Sequence, residues 1–121
     1  MNNEFNVAEQ QHGSARIVSV SGELDLRTSP ELEDRLGHAF DAGTQLVILD
    51  LRQIEFMDST GLRVLLAAHQ RAQESGRRFA LVKGADQVER VLTLTGVRDL
   101  LTVVDDPEEL LTAGEPSSEG A

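Results

Sequence analysis

The sequence predicts an α/β protein with a mixed sheet of four to five strands and about four helices. Short apolar or alternating segments, typical of strands, are separated by longer stretches whose apolar residues recur with helical periodicity. One part of this pattern, strand 46–51, helix 59–75 and strand 79–82, predicts a βαβ unit. Such a unit requires two parallel strands joined by a right-handed crossover.

The N-terminal part of the chain predicts a β-hairpin followed by a helix. An alternating segment, a turn at Gly13 and a second apolar run up to Leu24 predict the hairpin, whose first strand is expected at the edge of the sheet. Ser29 and Pro30 predict the helix start, with serine as the N-cap and proline at the first helical position. Gly43 is expected to end this helix. Its buried stripe is predicted to consist of Leu32, Leu36, Ala39 and Phe40.

The middle of the chain predicts a central strand and a long helix. Residues 46–51 read LVILDL and are apolar on both faces apart from Asp50, which predicts a strand covered by helices on each side. The helix over residues 59–75 is expected to end at Gly76.

The C-terminal third predicts three shorter elements. A helix begins near Ala85 and ends at Gly96, a strand follows at 100–104, and a last helix opens at Pro107 with Asp106 as its N-cap. Residues 1–111 are expected to form the single domain. Residues 112–121 are expected to be a disordered tail, because they contain no apolar side chain larger than that of alanine.

Composition argues against several classes of protein. A formal net charge of −10 disfavours binding to nucleic acid or to anionic lipid. The chain has four Phe and no Tyr or Trp, so it has few aromatic side chains on which the bases of a single-stranded nucleic acid could stack. The absence of Cys excludes a disulfide framework and a thiolate metal site. No apolar run approaches the roughly 20 residues of a spanning helix, and the N-terminus lacks a secretory signal pattern, so a cytoplasmic protein is expected.

Common enzyme motifs are not found in the sequence. The three histidines are scattered, and His69, on the apolar stripe of the long helix, is interpreted as a partly buried core residue. P-loop, GxGxxG and GxSxG sequences are absent. Asp25, Asp50 and Asp58 lack a metal-ligand spacing and are interpreted as surface charge. We therefore expect no catalytic residues, no metal and no cofactor.

Hydrogen-bonding chemistry is concentrated where the central strand joins the long helix. There Asp58, Ser59, Thr60 and Gly61 follow one another. A carboxylate at Asp58 is suited to cap the helix, because the first N–H groups of a helix lack intrahelical acceptors. The same N–H groups and the helix dipole would also tolerate a phosphate on Ser59. The residues alone leave a plain helix cap and a phosphorylation switch equally open.

Two segments resemble one protein family. IEFMDSTGLRVLL, residues 54–66, resembles the signature of STAS-domain anti-anti-sigma factors, which are small bacterial regulators of sigma-factor release. VSGELDLRTSPEL, residues 20–32, is similar to the family's segment after the second strand. The order and spacing of the predicted elements agree with the family across about residues 3–111. The resemblance implies the STAS fold and a protein without enzymatic activity.

The resemblance also implies roles for individual residues. In this family the unphosphorylated protein binds an anti-sigma factor that is also a serine kinase of the histidine-kinase-like ATPase fold, and the sigma factor is released. The kinase phosphorylates the serine after the motif aspartate, which implies Ser59 as phosphoacceptor, Asp58 beside it at the interface and Thr60 as a minor acceptor. Gly61 is implied to leave backbone room at the contact, and Asp25 to line the same surface.

Further expectations concern the partners of the chain. The resemblance implies that a metal-dependent serine phosphatase resets the switch, and that the chain is a monomer or weak dimer. Arg63 stands where family members often carry glycine, which implies a modified partner-facing surface. The alternative is a STAS-fold scaffold or sensor that binds a nucleotide or other ligand at the helix N-terminus and has no phosphorylation switch.

Overall fold

The computed structural model describes residues 4–114 of the chain, with side chains up to residue 111. Five strands form a single sheet in the order β1-β2-β3-β4-β5. β1 and β2 are antiparallel, and all later neighbours are parallel. The strands are β1 (Asn6–His12), β2 (Ala15–Leu24), β3 (Leu46–Met57), β4 (Arg78–Val82) and β5 (Thr102–Val104). The helices are α1 (Ser29–Asp41), α2 (Ser59–Ser75), α3 (Asp86–Leu94) and α4 (Glu108–Gly114), with a 3₁₀ turn at Val97–Asp99.

This architecture confirms the predicted α/β fold. The sheet is mixed, β1 lies at its edge, and β3, α2 and β4 form the predicted parallel βαβ unit. α2 has the predicted bounds and is followed by Gly76 in the left-handed conformation, with φ 71°. Gly43, with φ 79°, directly follows the C-cap of α1, as expected for a terminating glycine.

The two faces of the sheet are covered unequally. α1, α2 and α3 pack on one face, where Phe40, Leu49 and Leu65 are fully buried in the larger apolar cluster. α4 covers part of the other face through Leu110, which packs in a smaller cluster with Ile48. Helices on both sides of β3 are therefore confirmed, although most apolar burial lies on the side of α1–α3.

β3 is twice as long as predicted. It continues from Leu51 to Met57, while β4 pairs with it only as far as Asp50. In this second half the register against β2 shifts twice, and burial recurs at Leu51, Ile54 and Met57 rather than at alternate residues. The sequence prediction stopped at Leu51 because the continuous apolar run ends there, at Arg52 and Gln53.

The predicted N-cap of α1 is wrong by one residue. Thr28 is the N-cap, and Ser29 already lies inside the helix, where it is buried. The backbone turns before the helix, since the Ser29 N–H donates to the Asp25 carbonyl at 2.8 Å. Pro30 lies in the first turn, as predicted.

The C-terminal elements differ slightly from the prediction. β5 begins at Thr102, two residues late, because a 3₁₀ turn precedes it. α4 begins at Glu108, and its N–H donates to the Asp106 carboxylate at 2.8 Å, so the predicted capping contact is present. α4 runs to Gly114, which makes the first three residues of the predicted tail helical. Residues 115–121 of that tail lie outside the described residues.

Candidate functional site

The turns that follow β2 and β3 meet at one edge of the sheet. The two strands are parallel neighbours, so their carboxyl ends lie side by side. The Asp58 N–H donates to the Leu24 carbonyl at 3.2 Å, which joins the two turns directly. We call residues 25–28 and 58–61 the carboxyl edge. It contains five of the six predicted site residues; Arg63 follows two positions later in α2.

Asp58 caps α2 through its side chain. Its backbone is extended, and its carboxylate accepts the N–H of Thr60 at 2.8 Å and the N–H of Gly61 at 3.2 Å. Two N–H groups that would lack intrahelical acceptors are thereby satisfied. The predicted capping role of Asp58 is confirmed.

Ser59 and Arg63 are exposed on the same part of the α2 surface. Ser59 is the first helical residue and is exposed, whereas Thr60 beside it is half-buried. Arg63 is also exposed and lies four residues later, so it is one turn further along the same helix face. Ser59 is therefore accessible from solvent without unfolding of the helix, and Thr60 is less accessible.

Gly61 is buried beneath the turn. A Cβ atom built on it would lie 2.7 Å from Cγ of Met57 and 2.8 Å from Cγ of Leu24. These distances are too short for real side chains, so only glycine allows α2 to approach the ends of β2 and β3 this closely. The structure thus gives Gly61 a packing role inside the domain, and a contact between Gly61 and a partner stays a prediction.

Asp25 organises the other turn of the carboxyl edge. Its carboxylate accepts the backbone N–H groups of Arg27 at 3.0 Å and Thr28 at 3.2 Å. The Thr28 hydroxyl accepts the Asp25 N–H at 3.0 Å and donates to the Glu23 carbonyl at 2.8 Å. Desolvation raises the pKa of Asp25, but the hydrogen bonds from Thr28 and Arg27 outweigh it and hold that pKa below its ordinary value.

Gln87 is a site residue that sequence reasoning missed. Its side-chain oxygen accepts the Met57 N–H at 3.0 Å, and its amide nitrogen donates to the Met57 carbonyl at 3.2 Å. Because β4 ends before this point, the Gln87 amide takes the place of a neighbouring strand. It thereby fixes the backbone immediately before Asp58. No local motif marks Gln87, which lies thirty positions from Met57 and comes from α3.

Two exposed apolar side chains lie in or next to the carboxyl edge. Leu26, at the tip of the β2–α1 turn, has 76% of its surface exposed, and Phe56, two residues before Asp58, has 42% exposed. Neither residue was singled out from the sequence. Their exposure at this edge of the sheet is a property that only the folded structure reveals.

The described residues show neither a metal centre nor a membrane span. Asp25 and Asp58 belong to neighbouring turns, but within residues 4–114 no group of three or more His, Cys, Asp or Glu side chains is arranged to hold a metal ion. Asp50, which the sequence predicted to be surface charge, is instead buried on β3, in a bidentate ion pair with Arg52 at 2.8 and 3.0 Å. In the same part of the chain, no helix combines the length and apolar character needed to cross a bilayer.

Known proteins are similar to this chain in both sequence and fold. A family model described as STAS domain matches residues 6–110. The anti-sigma-B factor antagonist of Staphylococcus aureus is 32% identical over 91 residues, which are 75% of this chain and 84% of that protein.

Solved structures agree with this relationship. An anti-sigma factor antagonist from Mycobacterium paratuberculosis superposes with a TM-score of 0.82 at 29% identity, covering 91% of this chain and 93% of that one. The Bacillus cell fate determinant SpoIIAA in its phosphorylated form gives a TM-score of 0.67 at 18% identity, covering 88% and 96% of the two chains. At that identity the second structure shows a shared fold alone.

Proposed function

The chain belongs to the STAS-domain family of anti-sigma factor antagonists, and we propose that it works as a partner switch. In its unphosphorylated form it binds an anti-sigma factor that is a serine kinase of the histidine-kinase-like ATPase fold, and a sigma factor is released. Phosphorylation of Ser59 ends the interaction. The observation that carries the proposal is the exposed Ser59 hydroxyl on a helix start that Asp58 and Gln87 hold in place.

The geometry supports a switch that needs no refolding. Asp58 accepts the N–H groups of Thr60 and Gly61, and within residues 4–114 no hydrogen bond involves the Ser59 hydroxyl. A phosphate on Ser59 therefore breaks no internal contact there. It adds a charge of about −1.5 to −2 beside the Asp58 carboxylate. In a complex this charge would lose hydration and repel acidic groups, including the phosphates of a nucleotide bound to the kinase.

We further propose how the switch is reset, how the chain acts and where it acts. A metal-dependent serine phosphatase restores the free hydroxyl. The chain itself acts by binding, as a monomer or weak dimer, and does not catalyse a reaction or contact nucleic acid or membrane directly. We place it in the cytoplasm, where ATP and sigma factors act.

The alternative is a scaffold or sensor that binds a nucleotide or other anionic ligand at the start of α2. Asp58 argues against it, because its carboxylate already occupies the N–H groups of Thr60 and Gly61. An anionic ligand at this position would have to displace a like charge.

Phosphorylation of Ser59 is the test of the proposal. The purified chain is incubated with ATP and, in turn, each serine kinase of the histidine-kinase-like fold encoded in the source genome. Mass spectrometry should find one phosphate on the Ser59 peptide with the cognate kinase. Ser59→Ala should remove most of it, and a Ser59→Ala/Thr60→Ala double variant should remove the rest. Unmodified Ser59 with every kinase would contradict the proposal and favour the scaffold alternative.

The binding consequence is tested with Ser59→Asp. This variant should bind the cognate kinase at least tenfold more weakly than the wild type while its circular dichroism spectrum is unchanged, because the added charge lies outside the domain core. Ser59→Asn is the matched control for side-chain size and should bind more nearly like wild type. Equal affinity of wild type and Ser59→Asp would sink the electrostatic mechanism.

A further inference from the structure

We propose that Leu26, in the β2–α1 turn, and Phe56, two residues before Asp58, form a pair of apolar anchors for the kinase at the carboxyl edge. The inference rests on the proposed function and adds the surface that supplies most of the binding energy. It predicts that the partner carries an apolar depression for these side chains, with basic groups at its border. Charge at Ser59 would then control a complex whose affinity comes largely from two uncharged contacts.

Leu26 is held out in the solvent by a rigid turn. Four hydrogen bonds among Glu23, Asp25 and Thr28, and one from Arg27 to Asp25, fix the backbone on both sides of it. A large apolar side chain on a loop tip would otherwise be free to fold back onto the domain. A loop whose backbone is ordered before binding loses less conformational entropy in a complex, which favours Leu26 as an anchor.

Phe56 is presented by an equally fixed segment. It precedes Met57, which the Gln87 amide holds, and Asp58, whose N–H is bonded to the Leu24 carbonyl. Met57 and Leu24 are paired in register and both buried among α1–α3, so their neighbours Phe56 and Glu23, also paired in register, point to the opposite face. Aromatic side chains supply much of the binding energy at protein interfaces.

Acidic side chains border these anchors. Glu23 and Glu55 are both exposed, and neither forms an ion pair within residues 4–114. With the half-buried Asp25 they outnumber the one exposed base next to Leu26, Arg27, so the charge bordering Phe56 and Leu26 is net negative. Basic groups on the partner would match this border, and charges at the rim of an interface mainly accelerate association.

The test compares Leu26 with two other exposed leucines of the same chain. Leu94 and Leu100 are 78% and 60% exposed, but they lie at the end of α3 and shortly before β5, outside both turns of the carboxyl edge. Leu26→Ser should weaken binding to the purified, ADP-loaded cognate kinase about tenfold, because the variant no longer buries a leucine side chain in the complex. Leu94→Ser and Leu100→Ser should change the dissociation constant less than twofold. Phe56→Thr, which keeps a strand-forming residue, should weaken binding by a similar factor to Leu26→Ser.

Kinetics separate an anchor from a residue of the phosphorylation reaction. Leu26→Ser should raise KM for the chain as kinase substrate about tenfold and leave kcat nearly unchanged, because an anchor binds ground state and transition state alike. Charge reversal by Glu23→Lys and Glu55→Lys should slow association several-fold at low salt, and less at high salt.

Three results would overturn the inference. Leu26→Ser could bind like wild type while wild-type Ser59 is phosphorylated, which would leave the proposed function intact and remove the anchors. The Leu94 and Leu100 controls could weaken binding as much as Leu26→Ser, which would indicate a nonspecific effect. Sedimentation could show that the wild type self-associates and that Leu26→Ser does not, while both bind the kinase with equal affinity. That result would assign the surface to a second copy of the chain. Wild type that binds no kinase would contradict the proposed function itself, and with it the anchors.

Discussion

The two turns of the carboxyl edge begin helices in different ways. In the β3–α2 turn Asp58 caps the helix directly, and buried Gly61 lets the helix approach the sheet closely. In the β2–α1 turn the N-cap Thr28 makes no side-chain capping bond, and Asp25 instead uses its carboxylate to fix the loop before the helix. The first arrangement presents a hydroxyl on a rigid helix start, and the second presents an apolar side chain on a rigid loop tip. Adjacent turns of similar composition thus offer a partner different contacts.

The largest expected effect concerns close packing, which distinguishes the β3–α2 turn. Gly61→Ala should destabilise the domain by about 1–3 kcal/mol, because the new methyl group overlaps Met57 and Leu24 and the surrounding side chains must move. Urea denaturation of both proteins measures the difference. Gly37→Ala is the control inside α1, where a Cβ meets its nearest atom, Nη1 of Arg71, at an ordinary 3.5 Å. It should instead stabilise by about 0.5–1 kcal/mol, through helix propensity alone. Destabilisation of equal size in both variants would show that Gly61 is an ordinary helical glycine.

The next effect concerns support from outside the turn, which Met57 receives from Gln87. Gln87→Leu keeps the approximate size of the side chain but leaves the N–H and carbonyl of Met57 without the Gln87 amide. The expected cost is about 1–3 kcal/mol, the range for unsatisfied buried polar groups. Thermal unfolding measures it. Gln87→Glu keeps one acceptor oxygen for the Met57 N–H and should lose less than Gln87→Leu. An unchanged Tm in Gln87→Leu would mean that the Gln87 amide adds no stability.

Sequence reasoning predicted the fold and the main part of the β3–α2 turn. The bounds of α2, the Asp58 cap and the parallel order of β3 and β4 depend on local periodicity and on capping chemistry, which the sequence contains. The identification of Ser59 required the resemblance to a family as well, because a cap and a switch use the same residues.

The parts that sequence reasoning missed depend on contacts between distant segments. Gln87 supports Met57 from α3, and the exposure of Leu26 follows from hydrogen bonds that fix the β2–α1 turn. Ser29 was assigned as N-cap because Ser-Pro is a strong local signal, yet the upstream turn moves the cap to Thr28. Local preference was thus overridden where the chain folds back on itself.

A smaller effect tests the cap itself. Asp58→Ala should destabilise the domain by about 0.5–2 kcal/mol, because the N–H groups of Thr60 and Gly61 lose their acceptor. Asp58→Asn keeps an acceptor oxygen and should retain most of that stability. Both variants are compared by urea denaturation. If Asp58→Asn is as unstable as Asp58→Ala, the contribution comes from the negative charge at the helix start and not from the hydrogen bonds.

The smallest expected effect concerns Asp25 in the β2–α1 turn. It distinguishes the two turns by how the stability of the domain changes with pH. Its pKa in the folded chain lies below the ordinary value because the hydrogen bonds from Thr28 and Arg27 outweigh desolvation. A lowered folded-state pKa means that the ionised carboxylate contributes stability above the unfolded-state pKa of about 3.9, and that this contribution disappears as pH falls through the folded-state value. Asp25→Asn should therefore be less stable than wild type at pH 7, and the difference should shrink progressively below about pH 4.

Urea midpoints measured between pH 7 and pH 3 give this comparison for Asp25. Thr28→Val removes the hydroxyl from the same turn without removing a titrating group, so its stability difference from wild type should change less with pH than that of Asp25→Asn. Parallel curves for wild type and Asp25→Asn across this range would show that the ionised carboxylate does not hold the β2–α1 turn. Leu26 would then owe its fixed position to Thr28 and the backbone alone, and the rigid loop tip would no longer depend on charge.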